Sequence, residues 1–218
     1  MLMIVLNLKT YPQSLEKALY FIDTVSEVVE ETGVRVIVCP PAIHLKDAAQ
    51  RYSQIFAQHV DGNSAGAHTG TLPVEALKIV NAKGSLLNHS ERKIPYEALK
   101  VTIERLHEQA LESLACGETV DELKTIAGFS PNYVAIEPPE LIGSGTSVSS
   151  AQPELVKKAV KTVKEVSDKL PVLCGAGITD GNDVKKAIEL GSDGVLLASA
   201  FVKHDDPAAF LRSLCSVF

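Results

Sequence analysis

Asn7, Lys9, His89 and Glu137 each stand at or just past the end of a short apolar run of strand type. A lysine, a histidine and a carboxylate brought to one place supply a cation, a proton donor and a base. The glutamate is the most informative of the four. It follows Tyr133-Val-Ala-Ile136 and opens the stretch Pro138-Pro-Glu-Leu-Ile-Gly-Ser-Gly145. Two prolines stiffen the near side of that loop and two glycines loosen the far side, which is the make-up of a hinged lid with a carboxylate at its root. Two later runs end in Gly175-Ala-Gly177 and Ala198-Ser199, where backbone N–H groups would form a phosphate cradle. Taken singly, Lys9 reads as a solvated surface charge, Glu137 as a strand-end carboxylate and His89 as a packed ring. The combination is what points to chemistry.

Residues so far apart in the chain meet only if a repeating architecture brings strand ends together. Eight strand-like runs are legible: Leu2–Asn7, Val34–Cys39, Gln54–Gln58, Ser85–Asn88, Leu111–Cys116, Tyr133–Ile136, Pro171–Cys174 and Gly194–Ala198. Helical patterns alternate with them. The first is capped by Ser14, carries Leu15, Leu19, Ile22, Val25 and Val29 on its apolar face, and stops at Gly33. Others cover Leu45 to Tyr52, run from Pro73 to a stop at Gly84, and span Pro95 to Gln109 and Thr119 to Ala127. The last three begin at Pro153, at Asp180 as a cap, and near Pro207. No repeat or linker interrupts the series, so one α/β domain over residues 1–218 is expected. A doubly wound open sheet should carry a glycine fingerprint after its first strand, and Leu8-Lys-Thr-Tyr-Pro12 has no glycine. A closed (β/α)8 barrel predicts polar residues clustered after strand ends, and that is the pattern found.

Composition narrows the function classes. With 45% hydrophobic and 22% charged residues, the 218-residue chain has ordinary globular make-up. Its net charge of −6 and lack of any basic run argue against nucleic acid or an acidic membrane surface as partner. No stretch reaches membrane-spanning length, so a cytoplasmic location is the default. Cys39, Cys116, Cys174 and Cys215 form no CxxC pair and read as buried small hydrophobes. The six histidines show no i, i+4 pair, so no metal site is expected. Ser90-Glu-Arg-Lys93 fits a serine acyl-enzyme pattern but lacks its companion motifs, and Asn88-His-Ser90 is a sequon without any sign of secretion. The loop from His59 to Gly70 is long for a simple connection, which marks it as functional or interfacial.

Along its whole length the chain resembles the triosephosphate isomerase family. The match runs through Asn7-Leu-Lys9, Thr69-Gly70, His89-Ser-Glu-Arg-Lys93, Cys116-Gly-Glu118, Glu137-Pro138, Ile142-Gly-Ser-Gly145 and Gly175-Ala-Gly177. The resemblance implies a TIM barrel that interconverts dihydroxyacetone phosphate and glyceraldehyde 3-phosphate through an enediolate, without a cofactor. In that family a glutamate base, a neutral histidine and a closing loop are well-known parts, so these roles are taken over rather than deduced. They fall here on Glu137 as base, His89 as electrophile, Lys9 as electrostatic stabiliser, and Asn7 as a second group polarising the oxygens. The implied substrate-binding residues are Asn7, Lys9, Ile142, Gly143, Ser144, Gly175, Gly177, Ala198 and Ser199. The chain departs from the common pattern in lacking a lid tryptophan, in carrying Ala198-Ser199 for a Gly-Gly pair, and in placing Thr71 after Thr-Gly. It is also short between Glu118 and Glu137, which is similar to the compact archaeal branch. That branch implies a homodimer or homotetramer, with the 59–70 loop placing Thr69 in a neighbour's site. Another phosphate-binding barrel isomerase or lyase, or a barrel that only binds a phosphometabolite, stands as the alternative reading.

Overall fold

The computed structural model describes residues 2–138 and 148–218. The expected lid tip, with Ile142, Gly143 and Ser144, lies outside the described residues. In chain order the elements are β1 (Met3–Asn7), α1 (Pro12–Thr32), β2 (Arg35–Cys39), α2 (Leu45–Arg51), β3 (Phe56–Ala57), α3 (Val74–Ile79), β4 (Gly84–Leu87), α4 (Tyr96–Glu108) and β5 (Glu112–Gly117). There follow α5 (Val120–Ala127), β6 (Tyr133–Ile136), α6 (Val148–Ala151), α7 (Pro153–Val166), β7 (Val172–Gly175), α8 (Gly181–Glu189), β8 (Gly194–Leu197), α9 (Ser199–Val202) and α10 (Pro207–Cys215).

All strand pairs are parallel, in the order β2-β1-β8-β7-β6-β5-β4-β3. The ring closes where Val38 N–H donates to Gln54 O at 3.0 Å and Val38 pairs with Ile55. This is the (β/α)8 barrel. Strand residues alternate between two cores, as a period of two requires. Met3, Val5, Ile37, Phe56, Leu114 and Leu173 fill the barrel, while Ile4, Leu6, Val36, Val38, Val134 and Val172 face the helices. Burial on both faces explains why the strands read as continuous apolar runs.

At the N-terminal mouth, a polar group occupies the position that apolar side chains fill higher up. Arg35 donates to Tyr133 OH at 2.6 Å, to Gln54 Oε1 at 3.0 Å and to Glu112 Oε2 at 2.8 Å, and Tyr133 OH donates to Glu112 at 2.7 Å. Three strands, β2, β5 and β6, and the segment leading into β3 are tied together there.

Three local expectations are corrected. Ser14 is not a cap: Tyr11 precedes the helix, Pro12 takes its first turn, and the buried Ser14 hydroxyl donates to Leu8 O. The buried face of α1 runs through Ala18, Phe21, Ile22, Val25 and Val28, whereas Leu15 is 42% exposed. Lys17 has non-helical torsions, φ −124° and ψ 19°, which puts the first turn out of phase with the rest. Gly84 does not end α3, which stops at Ile79, but begins β4; a Cβ there would lie 2.1 Å from Glu112 O. Two four-residue helices, α6 and α9, went unread because one turn is too short to show a period. The expected cap Asp180 is in place, accepting two backbone N–H bonds, and Thr119 caps α5 by accepting the Glu122 N–H.

Candidate active site

In a parallel barrel every strand end that shares a direction opens on the same mouth. Asn7 ends β1, His89 lies two residues beyond β4, Glu137 follows β6 and Ala198 follows β8. They converge. A cleft of about 230 Å³ is lined by Lys9, His89, Glu137, Ala176, Gly177, Ala198 and Ser199, together with Tyr11 and Lys203. A second cavity of about 490 Å³ shares Lys9 and His89 with it, and its wall includes Asn7, Gln58, His59, Asp61, Glu91 and Arg92.

Lys9 is held in the left-handed region, φ 49°, a conformation that costs a non-glycine residue energy. Asn7 Oδ1 accepts its N–H at 3.0 Å and Gln58 donates to its carbonyl at 2.9 Å, so both sides of the strained peptide are pinned. The side chain then pairs with Glu91 at 2.7 Å. His89 is 6% exposed, and its Nδ1 accepts the Glu91 N–H at 3.1 Å. A ring nitrogen that accepts carries no proton, so the neutral imidazole bears its hydrogen on Nε2.

Nε2 points to Glu137, whose Oε2 is 3.8 Å away. Glu137 is 2% exposed, and Oε2 has no hydrogen-bond partner among the described residues. A buried carboxylate oxygen left open is expensive, and such groups occur where chemistry uses them. Its neighbours are soft: burial first and then the Glu137 charge push the Cys116 and Cys39 thiols well up, so neither competes as a nucleophile. All four cysteines are free and buried. Cys174 is pushed up to about 12, chiefly by burial.

Gly177 and Ala176 line the cleft with φ of 71° and 93°, an unusual pair of left-handed residues for the expected turn. Gly175, the first residue of that turn, carries a further constraint. It closes β7 behind the carboxylate, where a Cβ would sit 2.6 Å from Glu137 Cγ and 2.9 Å from Oε1. Sequence reading missed Glu91, His59, Asp61 and Arg92. His59 and Asp61 are 3.2 Å apart with Arg92 3.9 Å from Asp61, and no local pattern joins Glu91 to a lysine 82 residues away. Burial first holds the His59 pKa below its ordinary value, against the pull of Asp61. The Asn88 sequon is buried at 1% exposure. Among the described residues, no group of three His, Cys, Asp or Glu side chains has metal-binding geometry, and no helix is long and apolar enough to cross a membrane.

A lysine, an imidazole and a buried carboxylate gathered at the C-terminal mouth of eight parallel strands make a (β/α)8 barrel equipped with the groups that acid–base chemistry would use. Comparison gives the particular family. The family model described as triosephosphate isomerase matches residues 2–216, and the chain belongs to that family. Its relatives include the triosephosphate isomerases of Methanothermus fervidus and Methanopyrus kandleri. The first is 44% identical over 213 residues, 97% of this chain and 96% of that protein. The second is 44% identical over 217 residues, covering 98% and 96%. That of Methanocaldococcus jannaschii is 40% identical over 215 residues, 98% of each chain.

Proposed function

We propose that the protein interconverts dihydroxyacetone phosphate and D-glyceraldehyde 3-phosphate by proton transfer alone, with Glu137 as the base. The observation that carries this mechanism is the open Oε2 of a buried glutamate, 3.8 Å from an imidazole Nε2 that holds a proton. Glu137 takes a proton from C1 of the ketose. The C–H electron pair becomes the C1–C2 double bond, and negative charge moves to the C2 oxygen. His89 Nε2–H donates to the oxygens as charge develops, and Asn7 and Lys9 stabilise the same charge. The O1 hydroxyl proton then passes to O2, with His89 Nε2 between the two oxygens, and return of the carbon-bound proton from Glu137 to C2 gives the aldose; no electrons leave the substrate and no cofactor is called for. Gly177, Ala198 and Ser199 line the cleft together with Lys9, and their backbone N–H groups would hold the phosphate there. A coupled isomerase assay on wild type and Glu137→Gln tests the reading. Activity that survives the substitution unchanged overturns it.

The active form is a homodimer or homotetramer in which loop 59–70 of one copy enters the larger cavity of the next. Two features support this. Residues 64–71 are all exposed, although the loop base is tied down by Leu72 N–H to Asp61 at 2.8 Å and Arg105 to Ser64 at 2.8 Å. The cavity beside Lys9 is also roomy enough, at about 490 Å³, to receive a loop tip carrying Thr69. Light scattering on wild type and a Thr69→Arg variant checks it: a monomer at working concentration in wild type is the adverse result. Four free buried thiols and a doubly charged substrate that does not cross bilayers unaided favour the cytoplasm.

A further inference from the structure

We infer that Asn88 and Glu122 form a positioning clamp that sets His89 against Glu137, with the end of β5 as their common reference. The inference rests on the roles proposed above for His89 and Glu137, and concerns residues that touch no substrate.

Asn88 precedes His89, is buried, and has φ 55°. Asparagine tolerates that region better than most residues, but a glycine would tolerate it better still. The side chain supplies the rest of the explanation. Its Nδ2 donates to Cys116 O at 2.9 Å and to Glu122 Oε1 at 3.0 Å, while Oδ1 accepts the Ile94 N–H at 3.1 Å. Both amide protons and the carbonyl are therefore engaged. Because Ile94 lies beyond the short turn Ser90–Arg92, one carboxamide grips both ends of the segment that carries His89.

Strand β5 contributes no side chain to the chemistry, yet its last two carbonyls hold both partners. Cys116 O receives Asn88, and the next carbonyl, Gly117 O, receives the Glu137 N–H at 2.9 Å. The base and the electrophile are thus measured from adjacent peptide units of one buried strand. Glu122 closes the device. Its Oε2 accepts the Glu118 N–H at 2.9 Å, and Lys93 bonds to its Oε1. Thr119-Val-Asp-Glu122 has the make-up of a helix capping box, and Thr119 does accept the Glu122 N–H at 3.1 Å. The glutamate's carboxylate, however, turns to Glu118 and Asn88 instead of back to the cap. A residue that would ordinarily finish a helix end is spent on the segment beside His89.

The clamp predicts an effect on rate without an effect on binding. Asn88→Gly keeps the left-handed backbone and removes the grip. Its kcat should fall about tenfold to hundredfold, with KM and the affinity for 2-phosphoglycolate unchanged. In a His89→Gln background the same change should cost nothing further, because Asn88 acts through His89. Wild-type kcat in Asn88→Gly, or full additivity with His89→Gln, overturns the inference. Should Asn88→Gly fail to fold, Glu122→Ala leaves the Asn88 backbone untouched; it should show the same loss in kcat alone, and wild-type kcat there is equally fatal. An inactive wild type would instead remove the proposed reaction, so the two failures are distinct.

Discussion

The Glu91 N–H donates to His89 Nδ1 across 3.1 Å, and its carboxylate reaches Lys9 at 2.7 Å, so one residue fixes both the tautomer of the ring and the position of the cation. With its proton on Nε2, the ring can donate to a substrate oxygen in its neutral form. His89→Ala should lower kcat by about 100- to 1,000-fold, the usual loss when one donor to a developing oxyanion is removed. Affinity for 2-phosphoglycolate should change little. Nitrogen NMR of the ring should show the Nε2–H tautomer; a proton on Nδ1 would contradict the geometry.

Gly175→Ala tests the space behind the base. The added methyl would meet Glu137 Cγ at 2.6 Å, and so must push the carboxylate or the strand aside. A displacement of this size should cost kcat on the order of 100-fold. The measurement is kcat beside a melting curve: a fully active variant would mean that the close fit is incidental.

Lys9→Met removes the cation shared by the two cavities. The loss of a charge-assisted contact to a phosphate or enediolate should weaken 2-phosphoglycolate by about 10- to 100-fold. The salt dependence of the remaining binding should flatten as well. Titration calorimetry at two ionic strengths checks both.

Glu122 carries a pH signature. Burial alone would raise its pKa, but Lys93, the Glu118 N–H and Asn88 together hold it below the ordinary 4.5. A carboxylate with a lowered folded pKa adds stability above its unfolded pKa and loses it as pH falls through the folded value. The gap in melting temperature between wild type and Glu122→Gln should therefore be full at pH 7 and shrink below about 4.5. A gap that stayed constant down to pH 3 would contradict the assignment.

Arg35→Ala should separate stability from catalysis. It removes the group joining Gln54, Glu112 and Tyr133 at the mouth opposite the cleft. Glu112 retains 34% side-chain exposure, so the expected loss is about 2 kcal/mol, below that of a fully buried pair. Denaturant melts should show it, while kcat of the folded variant stays at the wild-type value.

The barrel and its principal side chains were legible because they follow from short-range pattern. Apolar runs of strand length ending in Asn7, in Glu137 or close to His89 place these residues at one mouth as soon as the strands are parallel. What was not legible depends on contacts between distant segments. Nothing near Lys9 points to Glu91, and nothing near Asn88 points to Cys116 or Glu122. Ser14 looked like a cap because caps are chosen by residue type, yet its hydroxyl was claimed by Leu8 O, which only the fold brings near. Gly175 and Gly84 were read from their local chain, one as a phosphate turn and one as a helix stop. The fold adds a close approach that neither local reading shows, of Glu137 to Gly175 and of the Glu112 backbone to Gly84, and the second replaces the helix stop.

The ring is not uniformly fastened. Between β2 and β3 a strand of two residues and one bridge complete the circle, so this seam is where the barrel should breathe first and where amide hydrogens should exchange fastest. In the order β2-β1-β8-β7-β6-β5-β4-β3, the pair lying diametrically across from the seam is β7 and β6. Glu137 leaves β6 and Gly175 ends β7 at that antipode. The ring can therefore open and reclose at its weakest point with the least disturbance to the Glu137 carboxylate, while Gln58 and His59, just past β3, move with the flank that would receive a neighbouring copy.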